Sequence, residues 1–271
     1  MTIIESKVEG KESPQTCEDG IAVNDSFVAV VDGSTSKTPL HVAPNMSNGR
    51  YAMKLITSLV TSMSSTLGCS DFCTLVTRRF REVYHETGQD MARLAFHPEE
   101  RLTASAIVYS RHRHEIWMVG DCQCMVNGNH FDNPKPSEAV AAAERARVVE
   151  DALSKGVTEE EIEHHDPGRD YILPLLIHGM AGQNKEYAVI DGFPIYMQGV
   201  RIIKLTQQPS EVILASDGYP ILRPTLKESE SKLSTLLRDD PLCIHSFKAT
   251  KGLRQGYRSF DDRAFVRFLT D

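Results

Sequence analysis

Short apolar runs rich in Val, Ile and aromatic residues recur along the chain, most of them bounded by Gly, Asp, Asn or Ser. Such runs predict β-strands. The predicted strands are residues 21–24, 27–31, 104–109, 115–119, 200–205, 212–215 and 264–269. The connectors 24–26 and 111–114 are short enough for hairpins, so we expect largely antiparallel sheets.

Two long segments, 48–67 and 71–86, have apolar residues at helical spacing and separate the second predicted strand from the third. Strands, then a helix pair, then more strands predict an α+β fold rather than alternating βαβ units. A second helical block at 135–182 is charged, and Thr158 with Glu161 forms a capping-box pattern. We expect this block to cover the sheet core, with too few apolar positions for a core of its own.

Composition is that of an ordinary globular protein: 271 residues, 41% apolar and 25% charged. The net charge of −7 and the lack of a long basic run argue against nucleic acid as the main ligand. No apolar run is long enough for a membrane span, and no secretory signal is visible. We therefore expect a cytoplasmic protein whose six cysteines are reduced, and a monomer.

Acidic residues stand where predicted strands begin or end. Three strands are followed by Asp32, Asp121 and Asp217, and two are preceded by the pairs Glu18-Asp19 and Asp261-Asp262. Antiparallel pairing can bring all of them to one edge of the core. Carboxylates gathered there repel one another unless a cation compensates them, and Mg²⁺ or Mn²⁺ suits an all-oxygen site. The two Asp-Gly pairs are also common in turns, so spacing alone leaves both interpretations open.

Six motifs, taken in order, resemble the successive signatures of the metal-dependent PP2C-type protein phosphatases. They are Glu18-Asp19, Val31-Asp32-Gly33, Thr103-Ala104-Ser105-Ala106, Val119-Gly120-Asp121, Leu214-Ala215-Ser216-Asp217-Gly218 and Asp261-Asp262-Arg263-Ala264. The resemblance covers roughly residues 15–269, apart from 135–182. It implies one domain over 1–271 with a helical insertion at about 135–182, built as a central sandwich of two antiparallel sheets flanked by helix pairs.

The resemblance also implies hydrolysis of phosphoserine or phosphothreonine in a protein substrate, by water activated at two Mn²⁺ or Mg²⁺ ions. Asp32 would bridge both metals, Gly33 would offer its carbonyl, and Asp217 with Asp261 would hold the second ion. Glu18 and Asp19 would act on metal-bound waters, so that Asp19, Glu18 and Asp32 are the expected catalytic residues. Asp121 matches the acid of a third, weaker metal site. No protein nucleophile is required.

Four positions depart from the family pattern. Pro14 replaces the Arg that holds the phosphate, leaving Lys11 as the nearest upstream cation, and Ser34 replaces a His proposed as general acid. Ile221 replaces an acid of the third metal site. The family's Leu-Thr-x-Asp-His stretch is not recognisable, and the block 135–182 occupies that region. We expect the block to govern substrate choice or regulation rather than chemistry.

Two alternatives to a protein phosphatase follow from these departures: a catalytically weak phosphoprotein-binding or regulatory module, and a phosphatase of a small phosphorylated molecule. Zinc chemistry is a weaker interpretation. We expect solvated histidines at 112, 114, 164 and 165, and buried thiols at Cys122 and Cys124, which lack a second ligand pair.

Overall fold

The computed structural model describes residues 1–206 and 209–271. Its strands are Thr2–Glu9 (β1), Asp19–Val23 (β2), Phe27–Gly33 (β3), Ala104–Ser110 (β4), Glu115–Val119 (β5), Gln123–Val126 (β6), Asn129–Phe131 (β7), Arg201–Lys204 (β8), Glu211–Ala215 (β9) and Arg263–Leu269 (β10). Its α-helices are Asn48–Ser62 (α1), Cys69–Glu86 (α2), Met91–Phe96 (α3), Glu138–Ser154 (α4), Glu159–His164 (α5), Pro167–Met180 (α6) and Leu226–Asp239 (α7). Within these described ranges, no helix has the length and apolar character that crossing a membrane requires.

The strands form two five-stranded antiparallel sheets, with the orders β2-β3-β4-β5-β8 and β1-β10-β9-β6-β7. Strand β3 is apolar on both faces because it lies between the second sheet and a helical layer. Val30 packs in the inter-sheet core with Leu214 and Val266. Phe27 and Val31 point the other way, into the core formed with α1 and α2.

Different elements cover the outer face of the second sheet. Ile213 and Phe265 pack against Tyr219 and Leu222, with Leu226 at the start of α7 beside them. The layers are therefore helices, sheet, sheet and helix. The predicted α+β fold class with two antiparallel sheets is confirmed.

All seven predicted strands are present, with bounds shifted by one or two residues, and both predicted hairpins form. The predicted helix 48–67 is too long, since α1 ends at Ser62. Met63 adopts an extended conformation at the C-cap. The Ser62 hydroxyl bonds back to the carbonyls of Ser58 and Leu59. Hydroxyl side chains that compete for backbone carbonyls in this way weaken a helix end.

The apolar pattern did not predict strands β1, β6 and β7 or helices α3 and α7. Strand β1 shows why: it is an edge strand paired only with β10, and most of its residues are exposed or half-buried. An edge strand with one solvated side lacks the run of apolar residues that marks a central strand.

The helical block lies elsewhere than predicted. Helices α4 and α6 pack against each other, and both line the cavity at the strand ends described below, so the block does not cover a sheet face. Its apolar residues Ala146, Val149 and Ile162 pack in a small core together with Leu242 and Ile244 from outside the block. This agrees with the expectation that the block has too few apolar residues to form a core of its own. The capping box that opens α5 is confirmed.

Candidate functional site

Strand pairing brings the predicted acids to one edge of the sandwich. Asp19 is the register partner of Asp32 across β2 and β3, and Asp32 in turn lies opposite Ser105 on β4. In the other sheet, Asp217 follows β9 and Asp261 precedes β10, and these two strands are antiparallel neighbours. The end of one strand and the start of the next therefore meet at the same edge.

A cavity of about 350 Å³ opens at this edge. Asp32, Gly33, Asp217 and Asp261 line it. Of the other predicted site residues, Asp121 contacts the lining through hydrogen bonds to Ser105 and Lys135, both on the cavity wall. Glu18 and Asp19 are buried beside the cavity. Asp19 lies opposite Asp32, which lines the cavity, in the pairing of β2 with β3.

The glycines of the two Asp-Gly pairs are required by close backbone approaches. A Cβ on Gly33 would lie 2.1 Å from the carbonyl oxygen of Gly49, and one on Gly218 would lie 2.0 Å from that of Asp262. Neither glycine has a positive φ. Turn chemistry of the usual kind, with glycine in the left-handed region, is therefore not the reason for either pair.

Asp32 and Asp217 lie together at this edge, and neither forms an ion pair with a described residue. Burial raises the pKa of Asp32 well above its usual range, and Asp19, Asp121 and Asp261 raise it further. Burial likewise raises the pKa of Asp217, with Asp32 among its repelling neighbours. Within the described ranges, neither Asp32 nor Asp217 forms an ion pair or accepts a side-chain hydrogen bond, although the Lys135 ammonium acts on both from a longer distance and lowers the pKa of Asp32.

Asp19 is buried behind this pair. Burial raises the pKa of its carboxyl well above the usual range, against a hydrogen bond from Ser216 that lowers it. Its Oδ2 atom is buried and has no hydrogen-bond partner in the structure. A buried carboxylate oxygen without a donor is costly, so this atom is suited to a water or a cation.

Two other acids are compensated by lysines. The Lys251 ammonium lies 2.5 Å and the Lys11 ammonium 3.3 Å from Asp261. These ion pairs outweigh burial and bring the pKa of Asp261 down to about 2. Lys135 pairs with Asp121 at 2.5 Å and, against the effect of burial, lowers the pKa of that carboxyl. A metal ion at either acid would compete with an ammonium group.

Glu18 is tied to the loop that follows β3 and to the start of α1. Its two carboxylate oxygens accept hydrogen bonds of 2.7 Å from Thr35 and from Ser47, which is also the N-cap of α1. Lys11 lies 3.6 Å from it. The carboxylate therefore fixes the position of the backbone around Gly33, whose N–H donates to the Glu18 carbonyl oxygen at 3.0 Å.

The residues at the edge fit a hard divalent cation at Asp32 and Asp217, whose carboxylates form no ion pair within the described part of the chain, with the unpartnered Asp19 Oδ2 behind them. No three of the described site acids have ligand atoms that all lie within 4.8 Å of one another. Among the described residues, the side chains whose ligand atoms do lie this close together are those of His97, Glu99 and Glu100. There Glu100 pairs with Arg93 and His97 with Glu99, so those acids are already partnered.

Several lining residues were not predicted from the sequence. They include the cations Lys37, Lys135, Arg169 and Lys251, together with His178 and Tyr187. Lys37 lies four residues after Gly33, and the others lie in or after the helical block. Only the absence of the family's Arg at position 14 indicated that some other cation had to be present. No local pattern marked which one.

The described histidines at 112, 164 and 165 are exposed, and His114 is half-buried at the β4–β5 turn. All six cysteines, Cys122 and Cys124 among them, are free and buried. The predictions of buried thiols and of mostly solvated histidines are therefore confirmed.

Comparison with known proteins gave matches among solved structures only. No family model and no curated protein matches the chain. One similar structure is the catalytic domain of the serine/threonine protein phosphatase PstP in complex with two manganese ions, at 12% identity over 100% of this chain and 99% of that one, TM-score 0.48. Another is the PPM Ser-Thr phosphatase MsPP from Mycobacterium smegmatis, at 12% identity over 98% of each chain, TM-score 0.47.

A third is the serine/threonine phosphatase Stp1 from Staphylococcus aureus, at 14% identity over 100% of this chain and 95% of that one, TM-score 0.44. The chain is thus similar to phosphatases of the type that its motifs resemble.

Proposed function

We propose that the protein is a metal-dependent phosphatase that hydrolyses phosphoserine and phosphothreonine in proteins, with water as the nucleophile. The main support is one observation: Asp32, Asp217 and Asp261 come from three separate strand ends and line a single cavity. Two of these carboxylates have no cation partner among the described residues. Such a cluster is unfavourable in a folded protein unless a bound cation compensates it.

In this proposal, Asp32, the Gly33 carbonyl, Asp217 and Asp261 hold two Mn²⁺ or Mg²⁺ ions, and Asp121 belongs to a third, weaker site. When bound, such ions lower the pKa of a coordinated water and neutralise charge on the phosphoryl group. The protein's own residues position the other partners. Asp19 accepts a hydrogen bond from water through its free Oδ2, and Glu18 holds the backbone around Gly33.

Water is the nucleophile in this proposal because the bound metal ions would activate it, and the protein's cysteines and Ser105 are poor alternatives. The six cysteines are buried, and none of the described lining residues is a cysteine. Ser105, the hydroxyl nearest to Asp121, donates its hydrogen bond to that carboxylate, whose charge is neutralised by Lys135. A carboxylate so compensated is a poor general base for activating the serine.

A second candidate substrate is a small phosphorylated organic molecule. Helices α4 and α6 place Val140, Leu175 and Leu176 on the cavity wall together with the acids. Apolar walls beside a few polar groups are typical of sites for small ligands. This observation favours a compact organic phosphoester over an extended phosphopeptide.

The test is hydrolysis of p-nitrophenyl phosphate with Mn²⁺, followed by phosphoserine peptides, phosphothreonine peptides and small phosphoesters at equal concentration. Mn²⁺-dependent turnover of the aryl ester, with the higher kcat/KM on phosphopeptides, supports the proposed function. A preference for small esters supports the second candidate. Phosphopeptide binding without turnover of any ester would instead indicate a regulatory module.

A further inference from the structure

Cations from four segments line the same cavity as the acids. Lys37 lies in the loop after β3, Lys135 between β7 and α4, Arg169 in the first turn of α6, and Lys251 in the loop before β10. Lys135 is engaged with Asp121 and Lys251 with Asp261, each at 2.5 Å. Within residues 1–206 and 209–271, Lys37 and Arg169 form no ion pair with a carboxylate. These two groups are therefore the cations available to an incoming anion.

Lys37 and Arg169 repel each other in this position. Burial, and after it the neighbouring Arg169, Lys251 and Lys135, lower the pKa of Lys37 to about 7. Burial also lowers the pKa of Arg169; the nearby Asp166 opposes this shift, and Arg145 adds to it. Two like charges turned into one partly buried cavity are costly unless an anion lies between them.

The Arg169 side chain is held in place by its surroundings. Asp166, the N-cap of α6, accepts a hydrogen bond from the backbone N–H of Arg169 at 2.9 Å and also binds the buried Arg145 at 2.7 Å. The Arg169 guanidinium donates through Nη1 to the carbonyl of Thr250 at 2.9 Å. Its remaining N–H groups stay available, and a guanidinium can bind two oxygens of a phosphate at once.

The two cations closest to the position of the family's Arg are engaged elsewhere. Lys11 contacts Asp262 at 3.0 Å and Asp261 at 3.3 Å, and it does not belong to the cavity lining. Arg50 reaches the chain beside Pro14, where it donates to the carbonyls of Pro14 and Cys17, and it is not part of the lining either. Both stabilise the N-terminal segment.

We propose that Arg169 and Lys37 form the subsite that holds the phosphoryl group of the substrate. This inference rests on the proposed function and deepens it: the helical block supplies a substrate-binding cation that the motif segments lack. The proposal goes beyond the expectation that the block governs substrate choice or regulation rather than chemistry, since Arg169 would contact the reacting group of every substrate.

The test compares Arg169→Gln, Lys37→Gln and the rescue variant Arg169→Lys with a control, Arg147→Gln. Arg147 is exposed on α4 in the same block, where it pairs with Glu144. Two measurements are made with Mn²⁺ present: steady-state hydrolysis of p-nitrophenyl phosphate, which carries a single anionic group, and the inhibition constant of inorganic phosphate. Thermal melting with and without Mn²⁺ reports folding and metal binding.

For Arg169→Gln and Lys37→Gln we expect kcat/KM to fall and the phosphate inhibition constant to rise, each by about tenfold or more. Arg169→Lys should recover part of the kcat/KM and part of the phosphate affinity, and Arg147→Gln should match the wild type in both. The Mn²⁺-induced Tm shift should persist in all four variants. Unchanged phosphate inhibition in a folded Arg169→Gln that still responds to Mn²⁺ would overturn the inference.

A wild-type protein without phosphatase activity would give a different pattern of results. If the wild type hydrolyses no phosphoester, phosphate binding is measured by calorimetry instead of inhibition. Binding that is lost in Arg169→Gln then supports the anion subsite without the catalytic activity. Equal binding by wild type and Arg169→Gln overturns the subsite as well.

Discussion

Asp19 and Asp32 face each other as register partners across β2 and β3, and burial raises the pKa of both carboxyl groups. This pairing puts two acids side by side where one sheet ends, and strand β9 of the other sheet brings Asp217 to the same cavity. Each additional carboxylate raises the cost of the ionised cluster. The clustered carboxylates therefore favour metal binding and lower the stability of the metal-free protein.

Replacing Asp32 or Asp217 by Asn should separate these two effects. We expect turnover to fall at least about 100-fold, because a metal ligand is weakened. The metal-free protein should melt at a higher temperature, since one repelling charge is gone, while the Mn²⁺-induced Tm rise should shrink. Asp25→Asn, at the exposed hairpin turn on the other end of β3, is the control. Normal turnover with a normal Mn²⁺ response in both site variants would show that the acids are structural.

Metal removal should abolish hydrolysis, while reagents directed at serine or cysteine should not. No cysteine lies among the described lining residues, and all six are buried, so thiol reagents have little access in the native state. The measurement is p-nitrophenyl phosphate turnover after exhaustive chelation, then after Mn²⁺ is returned, with an iodoacetamide-treated sample in parallel. Full activity in the chelated sample would contradict a metal-dependent mechanism.

Lys251 should weaken metal binding, because its ammonium group already pairs with Asp261 at 2.5 Å. In Lys251→Met the Asp261 carboxylate keeps only its longer contact, 3.3 Å, with Lys11, and we expect the Kd for Mn²⁺ to fall by about tenfold. Calorimetric titration of metal-free protein with Mn²⁺ measures this directly. Lys248→Met, an exposed lysine nearby in the same segment, should leave the Kd unchanged. An unchanged Kd in Lys251→Met would mean that Asp261 is not a ligand.

The sequence predicted the acids of this site better than its cations. Asp32 and Asp217 each follow an apolar strand, and antiparallel pairing is a general rule, so their meeting at one edge could be derived. Lys37 and Arg169 carry no such signal, because their proximity depends on how α6 packs against the loop at Thr250. Strand β1 was not predicted for a different reason: it is an exposed edge strand, and such a strand needs no distinctive pattern of apolar residues.

Glu230 of α7 joins the two loops that carry Asp217 and Asp261. It accepts hydrogen bonds from Tyr219 at 2.6 Å and from Arg263 at 2.9 Å, each two residues beyond one of those acids. Burial opposes ionisation of Glu230, but Arg263, Tyr219 and Lys7 bring its pKa down to about 2. A carboxyl group whose pKa is lower in the folded state stabilises the fold above its unfolded pKa, near 4.5, and loses that effect as the pH falls towards 2.

Glu230→Gln should therefore lower stability at pH 7 by about 1–2 kcal/mol, after allowance for solvent screening of this half-buried group. The corresponding fall in Tm is about 2–6 °C. The difference from wild type should narrow as the pH is lowered from about 4.5 to 3, because the wild-type advantage is lost on protonation. Asp239→Asn, which removes an exposed carboxylate at the end of the same helix, should change Tm little at any pH. A Tm difference for Glu230→Gln that stays constant from pH 7 to pH 3 would show that the charge on Glu230 does not hold the two loops together.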